Sequence, residues 1–138
     1  MKESLKILVI EDDAIEIMKL QRAIASIEQR HTLVEAKNGE HALDILNDKD
    51  NLTDIILLDL NMPKINGIEF LNILKNDDIL KYIPTIILTT SSNQRDLLEC
   101  YKIGIAGYIL KPLKYEDYVM KVEKVLNYWS CNELIKAL

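Results

Sequence analysis

The sequence predicts an α/β fold, a parallel sheet with helices on both faces. Five short apolar runs alternate strictly with five helical patterns, and short connections separate them. The central runs are apolar throughout, without in-out alternation, as expected of strands buried on both sides. Every unusual polar residue falls at the end of a run: Glu11 to Asp13, Asp59, Thr89 and Lys111. In open sheets of this kind, ligands bind beyond the carboxyl ends of the strands. Function should therefore be sought there.

The elements follow in order. Leu5 to Ile10 is the first strand and breaks into three acids, of which Asp13 suits a helix N-cap or first-turn position. The first helix presents Ile17, Leu20, Ile24 and Ile27 at three- and four-residue spacing. Thr32 to Ala36 is the second strand; Asn38-Gly39 then opens a short helix with Ala42, Leu43 and Leu46 inward. The third strand runs from Asp54 to Asp59. Gly67 follows Asn66 as a turn glycine and opens a helix carrying Ile68, Leu71 and Leu74, which ends before Asn76-Asp77-Asp78. Thr85 to Thr90 is the fourth strand, and Asn93 to about Lys102 the least apolar helix. Gly107 to Leu110 is the fifth strand. The last helix starts at Tyr115 and buries Val122, Val125, Leu126 and Trp129.

Composition narrows the class. A chain of 138 residues, 49% apolar and 28% charged, fits one soluble domain with a real core. The expected division is a domain over 1–129 and a short helical extension or tail over 130–138. A net charge of -5 argues against nucleic-acid or anionic-membrane binding. No secretory pattern and no run of ~20 apolar residues is present. Cys100 and Cys131 lack metal-type spacing and read as reduced thiols of a cytoplasmic protein. His31 and His41 lie outside any long bundle helix and read as solvated side chains.

Asp59 is the most informative residue. It closes the apolar run Ile55-Ile56-Leu57-Leu58, where a carboxylate is expensive unless paired. If the first and third strands are neighbours, four carboxylates converge at one sheet edge, and their repulsion calls for a cation.

With these residues in place, Ile7 to Pro112 resembles the receiver domain of two-component response regulators. The resemblance rests on the acids after the first strand, Asp59, Thr89, Lys111-Pro112 and Gly67, each on the matching strand end or helix start. Asp59-Leu60-Asn61-Met62-Pro63-Lys64, Leu88-Thr89-Thr90-Ser91 and Tyr128-Trp129-Ser130 narrow it to stand-alone regulators that partner bacterial phytochromes and similar sensor kinases. It implies a flavodoxin-like doubly wound (βα)5 fold with a five-stranded parallel sheet ordered 2-1-3-4-5. It also implies a single-domain switch in a phosphorelay, not an enzyme beyond its own phosphorylation and dephosphorylation.

The implied roles are specific. Asp59 is the phosphoacceptor, and Glu11, Asp12, Asp59 and the backbone carbonyl of Asn61 hold magnesium, with manganese as the alternative. Lys111 pairs with Asp59 at rest and with a phosphoryl oxygen afterwards. Thr89 donates its hydroxyl to another oxygen and, with Tyr108 on the fifth strand, forms the switch. Gly67 allows a close backbone approach, and the Lys111-Pro112 peptide is expected to be cis. The implied partners are a phytochrome-like sensor histidine kinase and a downstream protein target or phosphotransfer protein. A homodimer through the face of helix four, strand five and helix five, or through the tail with Leu134, Ile135 and Leu138, is one option; a tail folded back on its own domain is the other. Nothing after Trp129 is long enough for a DNA-binding or enzymatic output domain.

Two departures stand out: Glu11 replaces a more frequent aspartate, and Thr90 stands where many relatives have a smaller residue, which predicts slower exchange with donors. Three competing readings fare worse. A haloacid-dehalogenase-like phosphatase would need a second acid where Asn61 stands. A pseudo-receiver would not need the complete set, and a flavodoxin-like cofactor domain would need a phosphate loop where three acids sit.

Overall fold

The structure, a computed structural model, describes residues 4–48, 50, 52–62 and 66–135. Within them the chain alternates as β1 Lys6–Ile10, α1 Ala14–Ala25, β2 Thr32–Ala36, α2 Gly39–Leu46, β3 Ile55–Leu58, α3 Gly67–Asn76, β4 Thr85–Thr89, α4 Gln94–Ile103, β5 Gly107–Leu110 and α5 Tyr115–Ser130. All strands are parallel, in the order β2-β1-β3-β4-β5. The reversal of direction between β1 and β3 creates the switch-point crevice.

The period of two along each strand sorts the core into two layers. Leu8, Ile10, Ile56, Leu58 and Ile87 face α2, α3 and α4, where Ala42, Phe70, Leu71, Leu74 and Cys100 complete the packing. Ile7, Val9, Ile55, Leu57 and Ile86 face α1 and α5, against Leu20, Ile24, Tyr118, Val122 and Leu126. β3 and β4 are buried along their whole length, which explains their continuous apolar sequence. β5, at the edge, is only half-buried.

Local signals fix the helix ends. Asp13 caps α1 by accepting from the Ile15 N–H at 2.9 Å, and Asn38 caps α2 through the His41 N–H at 2.9 Å. Asn66 accepts from the Glu69 N–H at 2.9 Å while its amide donates to the Glu69 carboxylate at 2.9 Å, a reciprocal cap on α3. α4 ends at Gly104, whose φ of 122° suits glycine alone and whose N–H reaches the Cys100 carbonyl.

Several expectations change. The connection after α3 contains a 3-10 turn, Leu80–Tyr82, because the Asp77 carboxylate accepts from the N–H groups of Ile79 and Leu80. Phe70 and Tyr118 are core residues that the stripes omitted, whereas Ile68, Val125 and Trp129 are only half-buried. Among the described residues there is no cis peptide, so the Lys111-Pro112 bond is trans. Trans is the lower-energy isomer even before proline, by about 0.5–1 kcal/mol, and the lysine reaches the site without the alternative.

α5 does not continue into the tail. Its last carbonyls are taken by the Cys131 and Asn132 N–H groups, and the Asn132 side chain donates to the Tyr128 carbonyl at 2.7 Å. Leu134 packs against the α1–α5 core layer, and Ile135 is exposed. Leu138 lies outside the described residues, as do Pro63 and Lys64 of the third-strand motif. His31 is not simply solvated: half-buried, its Nδ1 accepts from the Leu5 N–H at 3.0 Å, and burial lowers its pKa.

Candidate functional site

The sheet register assembles the site. Ile10 pairs with Leu58, so Glu11 and Asp59 leave adjacent strands at the same level, tied by the Asp59 N–H to the Ile10 carbonyl at 3.1 Å. Thr89 pairs with Leu110, and the Lys111 N–H bonds the Thr89 carbonyl at 2.8 Å, which brings the last cation to the same edge. Residues far apart in sequence thus converge because all four strands end together.

Glu11, Asp12 and Asp59 each offer a carboxylate oxygen, and these lie within 4.8 Å of one another. Glu11 is buried, Asp59 is 9% exposed and Asp12 is open to solvent. Three such groups without histidine or cysteine form a hard, all-oxygen donor set. That chemistry fits magnesium, calcium or manganese better than zinc or copper. Asn61 follows at the exposed rim, two residues beyond Asp59.

Lys111 does not pair with Asp59. Its Nζ lies 2.7 Å from Glu11 Oε1 and 3.3 Å from Glu16 Oε2, with the lysine side chain only 7% exposed. The reason is packing: α1 lays its first turn over the pocket and presents Glu16 beside the ammonium. Burial pushes the Glu11 carboxyl up to about 7; Lys111 opposes this shift and Asp59 adds to it. Burial also works against the Lys111 charge, but the bond to Glu11 and the surrounding carboxylates outweigh it and raise its pKa. Each member of the pair therefore holds its proton more firmly than usual. A small cavity beneath them is lined by Glu11, Glu16, Asp59, Leu88, Lys111 and Tyr118.

Thr89 is fully buried, and its Oγ1 accepts from the Ser91 N–H at 3.3 Å. Tyr108, half-buried on β5, donates its hydroxyl to the Ser91 carbonyl at 2.8 Å. Both residues thus hold the backbone of Ser91 in the β4–α4 loop, Thr89 at its N–H and Tyr108 at its carbonyl. Thr90 is exposed. Gly67 sits tight against the segment after β3: a Cβ there would lie 2.6 Å from Leu60 Cα and 2.8 Å from the Asp59 carbonyl oxygen.

Sequence reasoning placed Glu11, Asp12, Asp59, Thr89 and Lys111 at one sheet edge, and the structure brings them there, with Tyr108 bonded to the loop after Thr89 and Gly67 packed against the segment after Asp59. It missed Glu16 and Tyr118. Glu16 had a signal, since an acid in the first turn of a helix entering the site can turn inward. Tyr118 had its place, four residues before Val122 on the buried stripe of α5.

Comparison with known proteins agrees with this geometry. The chain is similar to the probable methanogenesis regulatory protein FilR2 of Methanothrix harundinacea, 34% identical over 127 residues covering 89% of this chain and 82% of that one. It is also similar to response regulator Rcp1 of Synechocystis, 30% identical over 128 residues covering 89% and 87%; a crystal structure of Rcp1 is of its Mn(2+)-bound form, matching at a TM-score of 0.85, 28% identity and coverage of 96% and 99%. The crystal structure of the phosphorylated cyanobacterial phytochrome response regulator RcpA superposes with a TM-score of 0.87 at 32% identity, covering 96% of this chain and 99% of that one. The family model for the response regulator receiver domain matches residues 7–123, and the chain accordingly belongs to that family, the phosphoaccepting signalling module of two-component systems.

Proposed function

We propose that this chain is a single-domain response regulator that accepts a phosphoryl group on Asp59 from a sensor histidine kinase and then changes a protein-binding surface. The observation that carries this reading is the convergence of Glu11, Asp12 and Asp59, with oxygens within 4.8 Å, beside the largely buried Lys111 ammonium. Phosphoryl transfer asks a protein mainly for position and charge, because charge spreads over the equatorial oxygens.

Magnesium, with manganese as the alternative, would be held by Asp12, Asp59, Glu11 and the Asn61 carbonyl, and would supply positive charge against the phosphoryl oxygens. The residues themselves divide the remaining work. An Asp59 carboxylate oxygen forms the new P–O bond as the donor's P–N bond to the kinase histidine breaks; the electron pair leaves on the imidazole nitrogen, which takes up a solvent proton. Lys111 moves to a phosphoryl oxygen, and the Thr89 hydroxyl turns from Ser91 to donate to another. That loosens one of the two holds on the Ser91 backbone, and the Tyr108 hold follows.

Likeness to the phytochrome response regulator RcpA favours a phytochrome-like kinase, and a cytoplasmic setting belongs to the same reading. The output face would be α4–β5–α5, where Leu98, Tyr101 and Leu110 are exposed, serving a protein target, a phosphotransfer protein or a second copy. No described helix is long and apolar enough to cross a membrane.

The test is incubation with magnesium and acetyl phosphate, followed by intact mass. One phosphoryl addition is expected, labile to hydroxylamine, absent with a chelator and absent in Asp59→Asn. Modification that persists in Asp59→Asn overturns the assignment.

A further inference from the structure

Glu16 has no part in the reading above, yet among the described residues it is the one carboxylate besides Glu11 that forms an ion pair with Lys111 at rest. It stands in the first turn of α1, with Oε2 at 3.3 Å from Lys111 Nζ and Oε1 at 3.7 Å from Lys19 Nζ. Its Oε2 is buried and has no hydrogen-bond partner beyond that ion pair. The Lys19 ammonium lies over the Tyr118 ring at 4.9 Å, and Tyr118, only 1% exposed, walls the cavity below Lys111. Glu16 is thus held in place by Lys19 and aimed at the catalytic lysine.

We infer that Glu16 is a positioning residue for Lys111, holding its ammonium on the α1 side of the pocket and competing with the incoming phosphoryl group for it. This rests on Asp59 and Lys111 acting as proposed above. An ammonium is a compact charge that follows the nearest anions. At rest those are Glu11 and Glu16. To reach a phosphoryl oxygen on Asp59, Lys111 gives up part of its attraction to Glu16, and a largely buried pair is poorly screened. By this competition Glu16 slows phosphorylation and keeps the resting state unphosphorylated.

The isosteric change Glu16→Gln tests this. With acetyl phosphate below saturation and magnesium in excess, the rate of mass gain should rise about three- to tenfold, the range expected for a half-buried charge pair. Glu16→Asp, which keeps the charge on a shorter arm, should fall between the two. In a Lys111→Ala background, Glu16→Gln should change the rate less than twofold, since the cation it competes for is gone. A first-turn acid that only supports α1 predicts a lower melting temperature and an unchanged rate, and that result overturns the inference. An equal gain in the Lys111→Ala background also overturns it, because Glu16 would then act as a general surface charge. Loss of all Asp59-dependent modification in the unaltered chain would instead overturn the underlying reading.

Discussion

Replacing Gly67 by alanine should disturb stability and site together. The added Cβ would stand 2.6 Å from Leu60 Cα and 2.8 Å from the Asp59 carbonyl oxygen, whereas carbon contacts are comfortable at about 3.5–4.0 Å. The overlap is therefore about 1 Å against the carbon and smaller against the oxygen, and both are backbone. The segment cannot swing aside freely, because the Gly67 N–H bonds the Leu60 carbonyl at 3.2 Å and the Asp59 N–H bonds the Ile10 carbonyl at 3.1 Å. Overpacking of this kind costs about 2–3 kcal/mol, from which alanine's smaller unfolded-state entropy returns about 0.4–1. The net loss is about 1–2.6 kcal/mol, which at a urea slope of about 2 kcal/mol/M moves the midpoint down by roughly 0.5–1.3 M. Relief requires moving the Asp59 peptide, and misplacement of that order slows a positioned reaction by roughly 10- to 100-fold. Two other glycines calibrate the result. Gly107→Ala would meet only Ile86 Cγ2 at 3.7 Å and should stay within about 0.5 kcal/mol. Gly104→Ala meets nothing within 4 Å but strains a φ of 122°, so it should lose about 1–2 kcal/mol of stability with an unchanged phosphorylation rate. Urea unfolding and intact-mass kinetics on the three variants decide the matter. A Gly67→Ala protein with normal midpoint and normal rate refutes the close-approach argument.

Two further outcomes follow from the same geometry. Because burial raises Glu11 from its ordinary 4.5 to about 7, the folded state holds a proton that the unfolded chain has already released, so metal-free stability should fall as pH rises between about 4.5 and 7; Glu11→Gln should flatten that slope in urea melts taken across the window, and an identical slope would sink the assignment. Tyr108→Phe removes the hydroxyl that holds the Ser91 carbonyl at 2.8 Å, and should cost about 1 kcal/mol while speeding amide exchange in the β4–α4 loop; unchanged exchange there would remove Tyr108 from the loop's control.

How much of this was legible in the sequence depends on what each feature answers to. Strand ends were legible because a parallel sheet aligns its carboxyl termini: once Ile10 and Leu58 pair, Glu11 and Asp59 have nowhere else to be. The cap at Asp13 was legible because it acts on an N–H two residues away; Asn38 and Asn66 cap their helices by the same local reach but read in the sequence only as residues before an opening glycine. The 3-10 turn was harder, since Asn76-Asp77-Asp78 signals a turn but not that Asp77 would order the apolar residues after it. The Lys111 contact was not legible. Which of four carboxylates a long flexible side chain chooses depends on how α1 lies across β1 and α5, a tertiary fact absent from local pattern.

That last point bears on how the site works. A lysine resting against Asp59 would already be where a phosphoryl oxygen needs it. Here it rests against Glu11 and Glu16, so on the proposed mechanism its arrival at Asp59 would be a displacement between two sets of anions. The same displacement takes charge from Glu16, and with it from the Lys19 and Tyr118 contacts that join α1 to α5. On the proposed mechanism β4–α4 would not be the sole region to sense the acceptor: the Ser91 backbone would respond through Thr89 and Tyr108, and the α1–α5 pair through Lys111. A phosphoryl group on Asp59 would be read on both sides of the sheet, because each layer of the core contributes one polar contact to the pocket.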